Sequence, residues 1–166
     1  DHPLQIEIFR LVSELLETPE TEIHPERDDC GAPTIYMKIV EMAKLYSHLS
    51  SSDSAELEQI SRAMISNPVM VGDINKFDTE IIKESHGQVI SKGGAEGIQC
   101  LCKTNEGMGL ALKVEDGSKR AKHAVSLHLL RQLEWMSDLR MQDIEDKILK
   151  LPVGVQLLVK GELKFQ

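Results

Sequence analysis

A chain of 166 residues with 41% hydrophobic content is one domain's worth of sequence and can bury a packed core. Its formal net charge of −8, without a basic stripe, makes phosphate backbones and anionic membrane surfaces poor partners. No apolar run approaches the ~20 residues that span a bilayer, no signal-peptide pattern is visible, and three irregularly spaced cysteines are no disulfide framework, which favours a reducing compartment, most simply the cytoplasm.

The chain opens at Asp1 without a methionine and enters a helix almost at once, which points to a piece of something longer. Asp1 is the expected N-cap, with Pro3 in the first turn. Leu4, Ile8, Leu11, Val12, Leu15 and Leu16 recur at helical spacing, and their shared face is expected to pack in a core. Thr18-Pro19 ends this helix. Residues 20–33 read as a polar loop. Within it Asp28-Asp29-Cys30-Gly31-Ala32-Pro33 is a rigid, polar setting where a cysteine could bind metal, but one thiol with His24 nearby falls short of a zinc site. Thr34–Leu49 is apolar nearly all round and reads as a central, buried helix. Ser50–Ser54 is a linker. Asp53-x-x-Glu56 then looks like a capping box for a helix carrying Leu57, Ile60, Met64 and Ile65, stopped by Asn67-Pro68. Val69–Asn75 reads as irregular, and Phe77–Ser85 as a short helix ended by His86-Gly87.

Gln88–Gly117 carries strand chemistry. Gln88-Val89-Ile90 leads in, Ile98–Cys102 follows, and Asn105-Glu106-Gly107 turns the chain into Met108–Val114. Apolar runs separated by glycine-bearing turns predict a three-strand antiparallel meander. Cys100 and Cys102, two apart on a strand, share a face and read as small buried thiols. Between the first two strands lies Ser91-Lys92-Gly93-Gly94-Ala95-Glu96-Gly97. Glycine lets another backbone or a ligand come close. The lysine either presents its amine to a small substrate or is a solvated residue of a wide turn.

Asp116-Gly117-Ser118 leads into the longest predicted helix, about Lys119–Ser137, expected to lie across the meander and cover one face. His123 and His128 are five apart and are not a ligand pair. Gln142–Lys150 predicts a further short helix, and Val155–Val159 a final strand. The fold class is α+β: an antiparallel meander over about 88–115 packed against helices, in one domain over 1–166.

Several blocks resemble the L-asparaginase II family of the rhizobial type. They are Phe77-Asp78-Thr79, Ser91–Gly97, Gly109-Leu110-Ala111-Leu112-Lys113-Val114-Glu115-Asp116-Gly117 and Arg120-Ala121. Asp28-Asp29-Cys30-Gly31-Ala32-Pro33 is similar to the family's Asp-Gly-Cys-Ser/Gly-Ala-Pro segment, with Asp29 in place of glycine. The blocks keep the family's order over about residues 28–121. The resemblance implies a fold similar to serine β-lactamases and serine glutaminases, in which a lysine-bearing strand edges the active site. It implies hydrolysis of L-asparagine to L-aspartate and ammonia by a Ser-Lys mechanism. Lys92 would be catalytic, Gly93, Gly94 and Asp28 would bind substrate, and Cys30 would be a zinc ligand, with a second cysteine and a lysine completing the site.

Family members are longer, and their nucleophilic Ser-x-x-Lys pair lies in the N-terminal half. No such pair with that role occurs here, so the chain reads as the C-terminal half, a partial domain expected to be inactive alone. The expected partners are L-asparagine and the missing N-terminal half, with a homodimer left open and no nucleic acid or membrane. Zinc belongs to the full-length protein and is not expected in the fragment. The alternative is a non-catalytic interaction module on the same fold, binding through an unpaired sheet edge or an exposed apolar helix face.

Overall fold

The computed structural model describes residues 2–164, and in it helices and antiparallel strands follow one another in blocks along the chain. The first helix, α1, runs Pro3–Leu16. Asp1, the expected cap, lies outside the described residues; His2 takes the cap position, and its Nδ1 accepts from the Leu4 N–H at 3.2 Å. After a single helical turn at Glu20–Glu22 come β1 (His24–Arg27) and β2 (Pro33–Tyr36), an antiparallel hairpin in the stretch expected to be loop. Pro25 and Pro33 mask it in the sequence, but a two-stranded ribbon has open edges that tolerate proline. The expected helix from Thr34 therefore starts later, as α2 (Ile39–Ser51), where Glu41 Oε2 accepts from the Lys38 N–H at 2.6 Å.

The next helix, α3 (Ala55–Ser66), is capped by Ser54, whose Oγ accepts from the Leu57 N–H at 3.2 Å. Asp53, the expected cap, is instead engaged by His48, with Nδ1 and Oδ2 2.6 Å apart. One further turn, α4 (Pro68–Gly72), replaces part of the segment expected to be irregular, and α5 follows at Phe77–Glu84.

The predicted meander is present as β3 (Val89–Gly93), β4 (Ile98–Lys103) and β5 (Met108–Lys113), in the order β3-β4-β5. Its register sets the two faces. Ile90, Cys102 and Gly109 align on one face, as do Lys92, Cys100 and Ala111. Ser91, Leu101 and Leu110 align on the other, with Gly93, Gln99 and Leu112. Helices α2 and α3 cover the first face, where Leu49, Ile90 and Cys102 are buried against Tyr46, Leu57, Met64 and Ile65. The thiols of Cys100 and Cys102 are buried as expected, and burial pushes them up to about 11 and about 12.

The second face packs on α5 and on the last two helices, α6 (Lys119–Gln132) and α7 (Asp138–Ile148). Phe77, Ile81, Val89, Leu101, Leu127, Leu130, Trp135, Met141 and Ile144 form that core. The sheet is thus the middle of three layers, and the expected cover by the helix after Ser118 is present. That helix is shorter than predicted and no longer than α1, because Glu134 turns left-handed (φ 54°) and α7 begins at Asp138 rather than Gln142.

Two expectations fail for lack of a partner. Leu4, Ile8 and Leu11 of α1 are 64%, 39% and 44% exposed, and only Leu16 is buried. Polar contacts tie the last turn of α1 to α2: Lys44 Nζ donates to Leu16 O (3.0 Å), and His48 Nε2 lies 2.8 Å from Leu15 O. Val155–Val159 is not a strand and pairs with neither sheet among the described residues. Side chains of α6 engage the backbone just beyond it, with Gln132 Nε2 donating to Gly161 O (2.8 Å) and the Leu163 N–H donating to Gln132 Oε1 (2.7 Å). No helix is long and apolar enough to cross a membrane among the described residues.

Helix α2 can approach the sheet because Gly109 has no side chain. A Cβ there would stand 2.0 Å from Ala43 O and 2.5 Å from Ser47 N, both backbone atoms that cannot swing aside. Gly109→Ala is expected to destabilise the protein by about 3 kcal/mol or more. The check is the urea midpoint, and an unchanged midpoint would contradict this packing.

Candidate active site at the glycine elbow

The end of β3 bends into the glycine elbow. The turn closes through Gly94 N–H to Ile98 O (2.9 Å) and Ile98 N–H to Ala95 O (3.2 Å), with Glu96 and Gly97 both left-handed (φ 56° and 75°). Asp78, in the first turn of α5, lies beneath it. Its Oδ1 accepts from Ser91 Oγ (2.6 Å) and Gln99 Nε2 (2.7 Å), and its Oδ2 accepts from the Gly93 N–H (2.8 Å). Gln99 Nε2 also donates to Ser91 Oγ at 2.9 Å. Lys122 enters from α6 and donates to Ile98 O (3.1 Å) and Gly94 O (3.5 Å). Burial holds its ammonium below the ordinary lysine range, opposed by the charge of Asp78. A Cβ on Gly93 would fall 2.9 Å from Lys122 Nζ, 3.2 Å from Gln99 Oε1 and 3.3 Å from Asp78 Oδ2, so glycine keeps this polar pit open.

Lys92 alternates to the opposite face from Ser91, is exposed, and donates from Nζ to its neighbour Gly93 O at 2.8 Å. No carboxylate pairs with it among the described residues. The N–H groups of Gly93 and Gly94 are committed to Asp78 and Ile98, so neither glycine presents a free donor. Ser91 is fully buried with its hydroxyl directed to Asp78.

Asp28 and Cys30 lie together at the tip of the β1–β2 hairpin. Asp28 Oδ1 accepts from the Cys30 N–H (3.0 Å), the Cys30 Sγ (2.8 Å) and the Ala32 N–H (2.9 Å). These bonds, the thiol's first, hold the Asp28 carboxyl below its usual range. Both residues are exposed, and no hydrogen bond or ion pair joins them to the elbow among the described residues. One thiol and one carboxylate are half the donor set of a tetrahedral zinc site. No cluster of three or more His, Cys, Asp or Glu side chains able to hold a metal occurs among the described residues.

Sequence reasoning gave no site role to Asp78 and Ser91, although they lie in the resembling blocks, and missed Lys122 and Gln99 altogether. Each of the last two carries a legible signal. Lys122, Ser126 and Leu130 follow at i, i+4, i+8, which places a lysine on the stripe that ends in a fully buried leucine. Gln99 alternates with Leu101 on the same strand face.

The family model described as L-asparaginase II matches residues 1–165. No curated protein matches the chain.

Next in sequence to Lys122, His123 of α6 stacks on Phe77 of α5, with ring centroids 4.3 Å apart and planes within 4°. Burial, and then the charge of Lys122, lowers its pKa from 6.5 to about 4. Between those values the unfolded chain binds the extra proton, so stability rises with pH across the window. The contribution is complete above pH 6.5 and is lost as pH falls toward 4. For a half-buried ring it amounts to about 2 kcal/mol after discounting for solvent. His123→Phe keeps the stacked ring and is expected to flatten the stability–pH curve in that window, measured by urea midpoints. An unaltered slope would remove His123 as its source.

Proposed function

The chain belongs to the L-asparaginase II family, and on that premise we propose that it forms one wall of a centre hydrolysing the side-chain amide of L-asparagine to L-aspartate and ammonia. The observation that carries this reading is the placement of Lys92. Its amine stands exposed at the end of β3, unpaired by a carboxylate, on a backbone whose underside is pinned by buried groups.

Amide hydrolysis needs a nucleophile, a base to activate it, stabilisation of the oxyanion, and a proton for the departing amine. A serine hydroxyl is activated when a neutral lysine takes its proton, and a second, charged lysine keeps the first one neutral. Lys92 is proposed as that second lysine, and its positive charge also stabilises the oxyanion. Gly94 is proposed to let substrate approach the backbone by its small size, and Gly93 to contribute through its backbone, since the room it leaves lies on the Lys122 and Asp78 side and both N–H groups are already used. Ser91 is not the nucleophile: its hydroxyl donates to Asp78 on the opposite sheet face. The sequence holds no Ser-x-x-Lys. We therefore place the nucleophilic serine and its lysine in a part of the protein outside this sequence. Cys30 is proposed as one thiolate of a zinc site completed by donors outside this sequence, with Asp28 beside it at the substrate. A bound zinc would act as a Lewis acid there, and none of the steps above passes through it.

A second reading, a non-catalytic interaction module on the same fold, is favoured by the uncovered apolar face of α1. Activity separates the two. In the full-length protein, Lys92→Ala is expected to lower asparagine turnover by about 100-fold or more with an unchanged melting temperature. Ammonia release at the parent rate would remove Lys92 from the mechanism. The 166-residue chain alone is expected to release no ammonia from asparagine. Steady release by the purified chain would place a nucleophile within it.

A further inference from the structure

We infer that Asp78 and Lys122 are positioning residues for Lys92, one anion and one cation that clamp the two ends of the glycine elbow from below. The inference rests on the catalytic reading of Lys92 for its consequence in turnover, and on the geometry alone for its consequence in conformation.

Asp78 spends its carboxylate on the Gly93 N–H, on Ser91 Oγ and on Gln99 Nε2. The Gly93 N–H belongs to the peptide that joins Lys92 to Gly93. The β3–β4 register sets the face to which Lys92 projects, and fixing this planar peptide holds the strand end from which it projects. Lys122 acts at the other end. Its Nζ reaches the carbonyls of Gly94 and Ile98, the residues at which the elbow leaves and re-enters the sheet. One charge therefore holds the descending strand and the other holds the turn.

This clamp is unfavourable by the standards of a core. Lys122 is 5% exposed, and Gln99 Oε1 is buried without a hydrogen-bond partner, directed at the same pit under Gly93 as Lys122 Nζ. Burying an ammonium and an unpaired amide oxygen opposes folding. Elsewhere the inward face of α6 carries Ala124, Leu127 and Leu130, which close the layer without that penalty. Apolar packing alone does not require a lysine on this face. A turn containing Gly93, Gly94 and Gly97 has almost no side chain to pack, so hydrogen bonds hold it: its own, those from the Val114 N–H to Gly97 O (3.0 Å) and from Lys113 to Glu96 O, and those of Asp78 and Lys122 from below.

The test is a double-mutant cycle in the full-length protein with Asp78→Asn, Lys92→Ala and their combination, and Lys122→Met as a second variant. Asp78→Asn is expected to lower kcat about tenfold with KM changed less than about twofold. On the Lys92→Ala background it is expected to add less than about twofold, because the group it positions is gone. Lys122→Met, which keeps the apolar stem, is expected to show the same pattern. Equal losses on both backgrounds would assign Asp78 and Lys122 to folding and overturn the inference. A conformational readout stands apart from activity. The rate at which acetic anhydride labels Lys92, relative to the exposed Lys160, is expected to change at least about threefold in Asp78→Asn. Unchanged labelling of Lys92 overturns the positioning role whatever the activity does. Full turnover by Lys92→Ala with altered labelling in Asp78→Asn would instead sink the catalytic reading and leave the clamp intact.

Discussion

The carboxylate of Asp78 does what side-chain packing cannot do at this end of the sheet. It gathers a strand N–H, a hydroxyl and an amide from β3 and β4 onto one helix turn. Glycine-rich backbone loses the most conformational freedom on folding and gives nothing apolar in return. Hydrogen bonds to an ionised group are about twice as strong as neutral ones. A single anion with three partners is therefore an effective substitute for a missing core, and the position of Lys92 depends on it.

The two faces of the sheet solve different problems. Toward α2 the solution is steric: Gly109 gives up its side chain so that the helix backbone can lie against the strand. Toward α6 it changes along the strands. Leu101, Leu127 and Leu130 belong to the apolar core, Ser91 pairs directly with Leu101, and one step further along the strands Gln99, with Asp78 and Lys122, makes the face polar. The Phe77–His123 stack joins α5 to α6 through the residues next in sequence to Asp78 and Lys122. A rigid apolar end thus carries a polar end at which a charged amine can be held at low mobility. That is the arrangement expected where electrostatic preorganisation rather than flexibility serves the chemistry.

How much of this was legible in the sequence follows from which partners lie close in the chain. Strands β3 to β5 were readable because their turns and period-2 burial are local signals. The β1–β2 hairpin was hidden by Pro25 and Pro33, which read as loop although each occupies an edge. The capping-box spacing points to Asp53, with Glu56 three residues on, but Asp53 is engaged by His48, five residues back, and Ser54 takes the cap. Periodicity marked the apolar faces of α1 and Val155–Val159 but carried no information on whether a partner exists to cover them. Lys92, Gly93 and Gly94 were visible as a motif, while their clamp was not. Lys122 and Gln99 are polar residues on inward faces, and a reading that assigns polar residues outward passes over them.

The two groups of candidate residues are each complete within themselves. Asp28 turns the hairpin tip around its own carboxylate and holds Cys30. The elbow holds Lys92 through Asp78 and Lys122. Neither group borrows a hydrogen bond from the other, so each is formed before anything binds. Chemistry that uses both must be completed by atoms that lie between them, and in the proposed reading those atoms are the serine, its lysine and the remaining metal donors. Preformed walls lower the entropic cost of assembling such a site, because only the joining piece has to be ordered.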